Sequence, residues 1–540
     1  MTSFPEIHHQ EQSSSTVMRC ACLLALALLG VVATSSTSTT SAESAALTAA
    51  TSSDNSAGAD DVVAVRHILH FSDVHLNISE SLDAGDSAKI PVAYGDDAPI
   101  RLLVSALDYA KQLLPDPDFF LYTGDHAVHG ELSDSYLAEA VEENVETMAK
   151  YYSVNDTTLD ITAVIGNADT NPGTEENPAI ALILQSWEST MSKSNLDWFK
   201  CRGYLAYALD DNLIVITLNT LPYSPNHLPD TSALPDPFEQ FQWLNASLAE
   251  LKSSGKLAYI VGHIPPIIDS YSGSPMWNET YVKTYKSIVG QYADIIKAQL
   301  FGHVHSIEFR LPLSGSQIAL FKQNGVTVDE EDYEDMSELV PLFMTAAISP
   351  IFLNNPAFMI WDFDAITYDL LDFTVYGSNI SSENQAMDWN LLFQASTEYG
   401  TSSLNTSEIT SFVERAAGNA ELLEQYYYNS KAQSRLQPSC VDAACQAEWL
   451  CSLYWWSTTT DYEACVVSTK AAKSKGSSAI QVLVSSSAGS LLVASVATIF
   501  GGMAATAFFV LVASRICRRG GDQEAAKLLQ RQRVHFAAIV

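Results

Sequence analysis

Five apolar runs along the chain each end in side chains that commonly bind metal ions. The residues are Asp73, His75, Asp125, Asn167, His263, His303 and His305. In four of the runs a glycine directly precedes the first of these residues, which lets the backbone turn sharply beside a bound ion. Oxygen and nitrogen ligands without a thiolate suit two divalent ions of the zinc, iron or manganese kind. The set includes four of the 12 histidines of the chain, so we do not attribute it to chance.

The segments that carry these residues have the pattern of an α/β domain. From about residue 63 to 375, short apolar runs alternate with longer amphipathic stretches, which is typical of a layered α/β fold. In such folds the carboxyl ends of the strands meet at one edge, where ligands bind. We therefore expect the apolar runs, including 161–165, to be strands that deliver their ligands to one site. A single amphipathic helix is predicted over 408–430.

The composition of the chain restricts its partners. Its 540 residues are 47% hydrophobic and carry a net charge of −35, so the protein is globular and has room for a large core. So strong a negative charge repels polyanions, and we expect no nucleic acid binding. A site that holds metal ions can still bind phosphate, because the charge of the ions dominates locally.

Two apolar segments predict a single-pass membrane protein. Residues 1–34 have the features of a signal peptide, although an uncleaved anchor stays open, and 35–62 form a Ser/Thr-rich linker. The uncharged segment 491–513 is long enough to cross a bilayer as a transmembrane helix. Arg515, Arg518 and Arg519 follow it and place the tail 514–540 in the cytosol. We therefore expect a type I topology, with the part of the chain between the two segments in an endolysosome or vacuole or at the cell surface.

Sequons and cysteines agree with an oxidising compartment. Six Asn-x-Ser/Thr motifs predict N-glycosylation at Asn77, Asn155, Asn245, Asn278, Asn379 and Asn405. Four cysteines are clustered, namely Cys440, Cys445, Cys451 and Cys465. In an oxidising compartment such a cluster favours two disulfides over a zinc site, although the zinc site stays open. Residues 468–490 are predicted to be a juxtamembrane spacer.

Several motif blocks resemble those of a known family. The segments FSDVHLN, YTGDHAVHG, VITLNT, VGHIPP and QLFGHVHSIEFR resemble the calcineurin-like metallophosphoesterases, and within them the acid sphingomyelinase-like phosphodiesterases. The resemblance covers about 66 to 470 and extends to the related vacuolar endopolyphosphatases. It implies a layered α/β/β/α metallophosphoesterase sandwich over 63–375 and a small helical, disulfide-bonded C-terminal domain over 376–467. It also implies the pairs Cys440–Cys445 and Cys451–Cys465.

The resemblance further implies a role for each ligand. One ion would be bound by Asp73, His75, Asp125 and His305. Asp125 would bridge to a second ion, which Asn167, His263 and His303 complete. Zinc is the preferred metal in this prediction, with iron or manganese as alternatives. A hydroxide activated by the two ions would attack the phosphorus of a phosphoester or a phosphoanhydride.

One residue of the family pattern is missing. Many metallophosphoesterases have a histidine directly after the ligand Asn167, where it assists the leaving group, but this chain has Ala168. The acid sphingomyelinase-like branch has a histidine at the place of His129, which we therefore predict to be the catalytic acid. His126 stays open as an alternative. Because phosphoanhydrides have better leaving groups than lipid esters, Ala168 shifts the expectation towards anhydrides without excluding esters.

Three functions are compatible with these features of the sequence. The leading hypothesis is a metal-dependent phosphoric diester hydrolase, active as a monomer, that cleaves phosphocholine esters or nucleotide-type phosphates. An endopolyphosphatase is the alternative, and a non-catalytic glycosylated surface binding protein is the alternative from another class. Four aromatic residues in loops could line a choline or base pocket or only pack, namely Tyr94, Tyr223, Tyr271 and Trp277.

Overall fold

The computed structural model describes most of the chain between residues 64 and 474. The described residues are 64–79, 90–152, 162–171, 176–188, 191–323, 326, 336, 338–380 and 387–474. The predicted signal peptide, Ser/Thr-rich linker, transmembrane helix and cytosolic tail lie outside them, as does Asn155. The described part of the predicted spacer, 468–474, is the end of a helix. Among the described residues, no helix combines the length and the apolar character that crossing a bilayer requires.

Strands and helices alternate along the described residues. The strands are β1 (Val65–Phe71), β2 (Leu76–Asn77), β3 (Ala98–Pro99), β4 (Phe119–Tyr122), β5 (Leu205–Ala208), β6 (Leu213–Thr217), β7 (Leu257–Val261), β8 (Ile296–Phe301), β9 (Glu308–Arg310), β10 (Leu342–Met344), β11 (Ala357–Asp364), β12 (Leu370–Gly377) and β13 (Asn390–Gln394). The helices are α1 (Ile100–Leu113), α2 (Asp134–Tyr151), α3 (Glu176–Ile183), α4 (Lys193–Phe199), α5 (Gln240–Ser254), α6 (Glu279–Gln291), α7 (Gly315–Gln323), α8 (Ala395–Tyr399), α9 (Thr406–Gly418), α10 (Ala420–Ser430), α11 (Ala443–Ser452) and α12 (Thr459–Ser474). The mixed α/β class expected from the sequence is thus confirmed.

Two larger sheets organise most of the strands. The first sheet has the order β13-β12-β11-β1-β4, with β1 parallel to β4 and antiparallel to β11. The second has the order β5-β6-β7-β8-β10-β9, in which β6, β7, β8 and β10 run parallel. Strands β2 and β3 form a short ladder of their own. Because β1, β7 and β8 are interior strands, neighbours on both sides fix the positions of the ligands that follow them.

Aromatic side chains pack between the two sheets and on their outer faces. The ring centroids of Phe343 on β10 and Trp361 on β11 are 5.4 Å apart. On the other face of the first sheet, Tyr109 of α1 contacts Phe358 of β11 with a centroid distance of 6.4 Å. Successive side chains of a strand point to opposite faces, so β11 contacts the second sheet and α1 at once. Helix α5 packs against β7 on the second sheet, and helices therefore lie against both sheets.

The carboxyl ends of β1, β4, β7 and β8 meet at one edge of the fold. Directly after these strands, the Asp73 N–H donates to the Gly124 carbonyl at 3.1 Å, and the Gly302 N–H donates to the His263 carbonyl at 3.1 Å. The His303 N–H donates to both carboxylate oxygens of Asp73, at 3.0 and 3.1 Å. These last contacts join the two sheets where the predicted ligands lie.

The described part of the apolar run 161–165, residues 162–165, is not a strand, contrary to the expectation. Among the described residues 162–166, the Thr162 hydroxyl donates to the Phe120 carbonyl at 3.2 Å, and the Gly166 N–H donates to the Asp169 carboxylate at 2.8 Å. Side-chain groups thus take the place of ladder hydrogen bonds beside β4. The run ends in the short 3-10 turn Asn167–Asp169.

The C-terminal part is helical and cross-linked. The structure has disulfides between Cys440 and Cys445 and between Cys451 and Cys465, which is the predicted pairing. The prediction of one helix over 408–430 is wrong, because the chain divides into α9 and α10 at Asn419. The side chain of Asn419 accepts two backbone N–H groups of α10 and so caps its first turn. A bridge between Leu311 and Tyr454 pairs this part with the catalytic part.

Candidate metal centre

Most of the predicted ligands have a left-handed backbone conformation. Positive φ angles occur at Asp73 (50°), His75 (48°), Asp125 (59°), His303 (71°) and His305 (49°). Residues with a Cβ avoid this region, at a cost of roughly 1–2 kcal/mol each. The conformation turns the chain sharply after β1, β4 and β8, which brings ligands from different strands together.

The first cluster of potential ligands contains Asp73, His75 and His305, which are all buried. The Nε2 atom of His75 lies 3.0 Å from Nε2 of His305 and 3.2 Å from Oδ2 of Asp125. The Nε2 atom of His305 lies 3.4 Å from Oδ1 of Asp73. These contacts link all four residues that are predicted to bind one ion.

The second cluster shares Asp125 with the first. The Nε2 atom of His263 lies 3.2 Å from the same Oδ2 of Asp125 and 3.0 Å from Oδ1 of Asn167. Ligand atoms of Asp125, His263 and His303 all lie within 4.8 Å of one another. One carboxylate oxygen of Asp125 thus faces both clusters, as a bridging ligand must.

The donor atoms of the two clusters fit cations. The Nδ1–H of His75 donates to the Ala127 carbonyl at 3.1 Å and that of His263 to the Thr123 carbonyl at 2.7 Å, so each Nε2 presents a lone pair to Asp125. Facing lone pairs repel unless a positive charge lies between them. Although burial opposes it, the Asp125 carboxylate accordingly raises the pKa of both His75 and His263 to about 9. Imidazole, carboxylate and amide ligands in this arrangement suit two divalent ions.

The loop that carries Asn167 is held by Asp169, a residue that the sequence analysis missed. Its buried carboxylate accepts the backbone N–H groups of Asp125 at 3.1 Å and Gly166 at 2.8 Å. The Ala168 N–H donates to Oδ1 of Asp125 at 2.8 Å. Ala168 therefore contributes a backbone donor to the centre, although it lacks the imidazole that the family resemblance led us to expect there.

The predicted catalytic acid, His129, lies beside the first cluster. Its ring stacks on that of His75, with centroids 3.6 Å apart and planes 16° apart. Its Nδ1–H donates to Oδ1 of Asp97 at 2.8 Å, and its backbone N–H donates to Oδ2 at 3.1 Å. Burial lowers the pKa of His129 to about 4, with a contribution from His75, and Asp97 opposes this shift. His129 also forms a third group of closely spaced potential ligands with His75 and His305.

The alternative acid, His126, has different surroundings. Its Nδ1 lies 2.9 Å from a carboxylate oxygen of Asp169. Its ring centroid is 4.4 Å from that of Tyr122 and 5.3 Å from that of Trp187. These contacts make His126 part of the support for the Asp169 loop, and the structure does not bring it into either ligand cluster.

A buried chain of hydrogen bonds fixes the position of Asp73. The Trp361 indole N–H donates to Nδ1 of His70 at 3.1 Å, so the remaining proton of the imidazole is on Nε2, 3.0 Å from the Thr123 hydroxyl. That hydroxyl donates to Oγ of Ser72 at 2.6 Å, and Ser72 donates to Oδ2 of Asp73. Burial lowers the pKa of His70 to about 3, which keeps the ring neutral as this direction of donation requires.

Breaking this chain at Thr123 is expected to weaken metal binding. The Thr123→Val substitution keeps the shape of the side chain but leaves the His70 N–H without its acceptor and Ser72 without a donor. We expect a loss of about 1–3 kcal/mol in the free energy of unfolding and a roughly 10–100-fold lower zinc affinity. Urea unfolding and competition with a zinc chelator measure the two effects. An unchanged zinc affinity would contradict a role of the chain in positioning Asp73.

The four aromatic residues considered for a pocket have different environments. Tyr223 and Trp277 are buried and pack against each other with a centroid distance of 4.4 Å. The Tyr94 hydroxyl donates to the side chain of Asn379 at 2.6 Å. Tyr271 is 43% exposed and lines a recess beside His305. Tyr271 therefore faces a cavity next to the centre.

The described sequons differ in accessibility. Asn245, Asn379 and Asn405 are exposed, whereas Asn77 and Asn278 are partly buried. The side-chain nitrogen of Asn278, to which a glycan would be attached, is itself buried. N-glycosylation stays a prediction, and the exposed asparagines have the better geometry for it.

Comparisons with known proteins agree with the fold and the centre. Residues 66–306 match the model of the family described as calcineurin-like phosphoesterase. The acid sphingomyelinase-like phosphodiesterase 3b of Homo sapiens is 28% identical over 413 residues, which cover 71% of this chain and 86% of the relative. The sphingomyelinase phosphodiesterase D of Dictyostelium discoideum is 26% identical, covering 62% and 73%. The cyclic GMP-AMP phosphodiesterase SMPDL3A of Mus musculus is 24% identical, covering 69% and 86%.

The fold and the paired ligand clusters, together with the matched domain, are those of a hydrolase that acts on phosphoester bonds. Residues 66–306, somewhat less than half of the chain, are similar to the calcineurin-like phosphoesterases. Over most of its length the chain is similar to acid sphingomyelinase-like phosphodiesterases, and the resemblance found in the sequence is thereby confirmed.

Proposed function

We propose that the protein is a zinc-dependent phosphodiesterase that cleaves phosphocholine esters or nucleotide-type phosphates in a lumenal or extracellular compartment. The relatives named as sphingomyelinase and cyclic GMP-AMP phosphodiesterases support the two substrate classes. The two disulfides support an oxidising compartment. The membrane span proposed for 491–513 rests on the sequence alone.

The proposed chemistry uses the seven ligands, which are Asp73, His75, Asp125, Asn167, His263, His303 and His305. Two divalent ions held there would supply Lewis-acid activation of water and of the phosphoryl oxygens. The chain itself fixes the imidazoles through the Ala127 and Thr123 carbonyls. Burial of the clusters excludes bulk water from the ligands and strengthens each electrostatic contact.

The hydrogen-bonded pair of Asp97 and His129 supports the proposal that His129 is the catalytic acid. With Nδ1–H bonded to Asp97, the Nε2 atom of His129 is the nitrogen that exchanges a proton with a substrate. The Asp97 carboxylate stabilises the imidazolium form of His129. The negative charge of a bound phosphate would also raise the pKa of His129 and so act against the effect of burial. His129 can then protonate the departing alkoxide of an ester.

A comparison of leaving groups tests this role. We expect His129→Ala to lower kcat on sphingomyelin, which has a poor leaving group, by about 10²–10⁴-fold. The loss on bis-p-nitrophenyl phosphate should be much smaller, because nitrophenolate leaves without a proton. Asp97→Asn should show the same trend with a smaller loss, since the amide still orients the ring. The proteins are compared as zinc-loaded full-length chains in detergent at pH 5.

Equal losses on the two substrates would instead mean that His129 supports the ligands, in line with its place in the third group. Hydrolysis confined to ATP and polyphosphate, and insensitive to His129→Ala, would favour the endopolyphosphatase. Ala168 supports that alternative, because its backbone N–H contacts Asp125 but its side chain cannot protonate a leaving group. An anhydride needs such assistance less than an ester does. A zinc-loaded protein that hydrolyses none of these substrates would favour the non-catalytic binding protein.

A further inference from the structure

A recess beside His305 leads from the metal centre to the C-terminal helices. The recess is partly open to solvent. Its walls include Tyr271, His305, Phe352 and Lys431. Since His305 is one of the predicted ligands, a substrate whose phosphorus reaches the centre would place a neighbouring group in this recess.

The amino group of Lys431 is brought to the recess by the end of α10. The Ile307 N–H donates to the Ser430 carbonyl at 2.8 Å, and the Ser306 hydroxyl donates to the same carbonyl at 3.2 Å. The Lys431 ammonium donates to Oγ of Ser306 at 3.0 Å and lies 4.9 Å from the centre of the Trp449 ring. The lysine is therefore bound to Ser306, the residue that follows the ligand His305 in the sequence.

The carboxyl groups around the recess are already engaged. One oxygen of Glu308 lies 2.9 Å from the Arg310 guanidinium, and the other accepts the Ser270 hydroxyl at 2.9 Å. Asp269 accepts the N–H and the hydroxyl of Ser272, each at 2.7 Å, and burial raises its pKa. Among the described residues, no carboxylate oxygen lies within 4.0 Å of the Lys431 ammonium.

The ammonium group of Lys431 thus keeps hydrogen-bonding capacity. It has three N–H donors, and one of them is used by Ser306. Burial lowers the pKa of Lys431, while Glu308 and Asp269 oppose the shift. A partly buried cation with unused donors favours an anion over a quaternary ammonium group, which it would repel.

We propose that Lys431 binds a second phosphate of the substrate, joined to the phosphorus that is attacked. This inference rests on the proposed function and concerns those of its substrates that contain a phosphoanhydride, as nucleoside polyphosphates and inorganic polyphosphate do. A phosphocholine ester offers no such group. The buried Oδ1 of Asn354, which also lines the recess and has no hydrogen-bond partner there, would in addition accept a hydroxyl or amino group of a nucleoside.

A purely structural role for Lys431 makes a different prediction. The residue directly follows α10 as its C-cap, where a cation stabilises the helix dipole by roughly a few tenths of a kcal/mol to 1 kcal/mol. If that were its only role, its loss would affect all substrates alike and would act through stability. Binding of a second phosphate instead affects KM, and only for substrates that have one.

The experiment compares Lys431→Gln, Lys431→Arg and the control Lys470→Gln, as zinc-loaded full-length chains in detergent. Lys470 lies on α12 and pairs with Glu448 at 3.1 Å, so its replacement changes the net charge equally but away from the recess. We expect Lys431→Gln to raise KM for ATP and tripolyphosphate about tenfold or more. The ratio of kcat/KM for ATP to that for bis-p-nitrophenyl phosphate should fall by a similar factor. Lys431→Arg should restore most of it, and Lys470→Gln should leave the ratio unchanged.

Binding of pyrophosphate, measured by calorimetry, provides a readout that does not need turnover. We expect Lys431→Gln to weaken it about tenfold relative to the wild type and the Lys470 control. An unchanged affinity and an unchanged ratio would overturn the proposal, as would equal losses on all substrates. Activity on the diester without any effect of Lys431 would leave the phosphodiesterase function standing. Weaker pyrophosphate binding without hydrolysis of any substrate would reject the function while supporting the anion site.

A nucleotide site predicts a lower KM for ATP than for tripolyphosphate, and the reverse order favours inorganic polyphosphate.

Discussion

Replacing Asp125 with asparagine is expected to lower kcat/KM on bis-p-nitrophenyl phosphate by about 10³-fold or more. The same carboxylate oxygen lies 3.2 Å from Nε2 of both His75 and His263, so it is the shared ligand of the two clusters. A neutral amide has no negative charge to share between two cations, and loss of one ion removes several kcal/mol of charge stabilisation from the reaction. Zinc content after dialysis should fall from two ions to one or fewer per chain.

The amide keeps the local hydrogen bond, which separates this effect from unfolding. Its oxygen can still accept the Ala168 N–H, as Oδ1 of Asp125 does at 2.8 Å. Asp294→Asn is the matched control, because Asp294 is exposed and pairs with Lys252 at 2.8 Å far from the ligands. Retention of two zinc ions and full activity by Asp125→Asn would show that Asp125 is not a bridging ligand.

The substitution Gly166→Ala is expected to destabilise the fold and the centre together. A Cβ at this position would lie 2.1 Å from Oδ1 of Asp125 and 2.2 Å from its backbone nitrogen. Because one of these atoms belongs to the backbone, a rotamer change cannot relieve the clash. We expect a loss of about 3 kcal/mol or more in the free energy of unfolding, measured by urea titration, and weaker zinc binding.

Gly315→Ala is the matched control for this prediction. Apart from the adjoining chain, no heavy atom of the described residues lies within 4 Å of the Cβ that it would add, and Gly315 is at the start of α7. We expect its free energy of unfolding to match that of the wild type or exceed it slightly, since alanine favours a helix over glycine. Equal unfolding midpoints for the two variants would mean that the loop around Gly166 can move away from Asp125.

The ligands could be predicted because strand and ligand are neighbours in the sequence. Each of β1, β4, β7 and β8 is an apolar run followed within a few residues by Asp or His, so the fold class alone brings their ends together. The run 161–165 shows the limit of this argument. Its composition is that of a strand, but the Asp169 carboxylate binds the Gly166 N–H, and the resulting turn carries the ligand without a ladder.

The residues that support the ligands could not be found in this way. Asp97 lies 32 positions before His129 in a loop without a periodic pattern, so only the folded chain shows their contact. His70 and Trp361 are 291 positions apart and have the composition of ordinary core residues. Asp169 did have a local signal, namely a carboxylate two positions after a ligand at a turn, where acceptors commonly bind nearby backbone N–H groups.

The left-handed backbone at Asp73, His75, Asp125, His303 and His305 has an evolutionary consequence. Glycine adopts positive φ angles without steric cost, so a change of any of these residues to glycine would relieve roughly 1–2 kcal/mol of strain while removing a ligand. At these five positions selection for stability and selection for catalysis thus act in opposite directions. A copy of the gene freed from its enzymatic role would be expected to acquire glycine at these sites and to lose its metals.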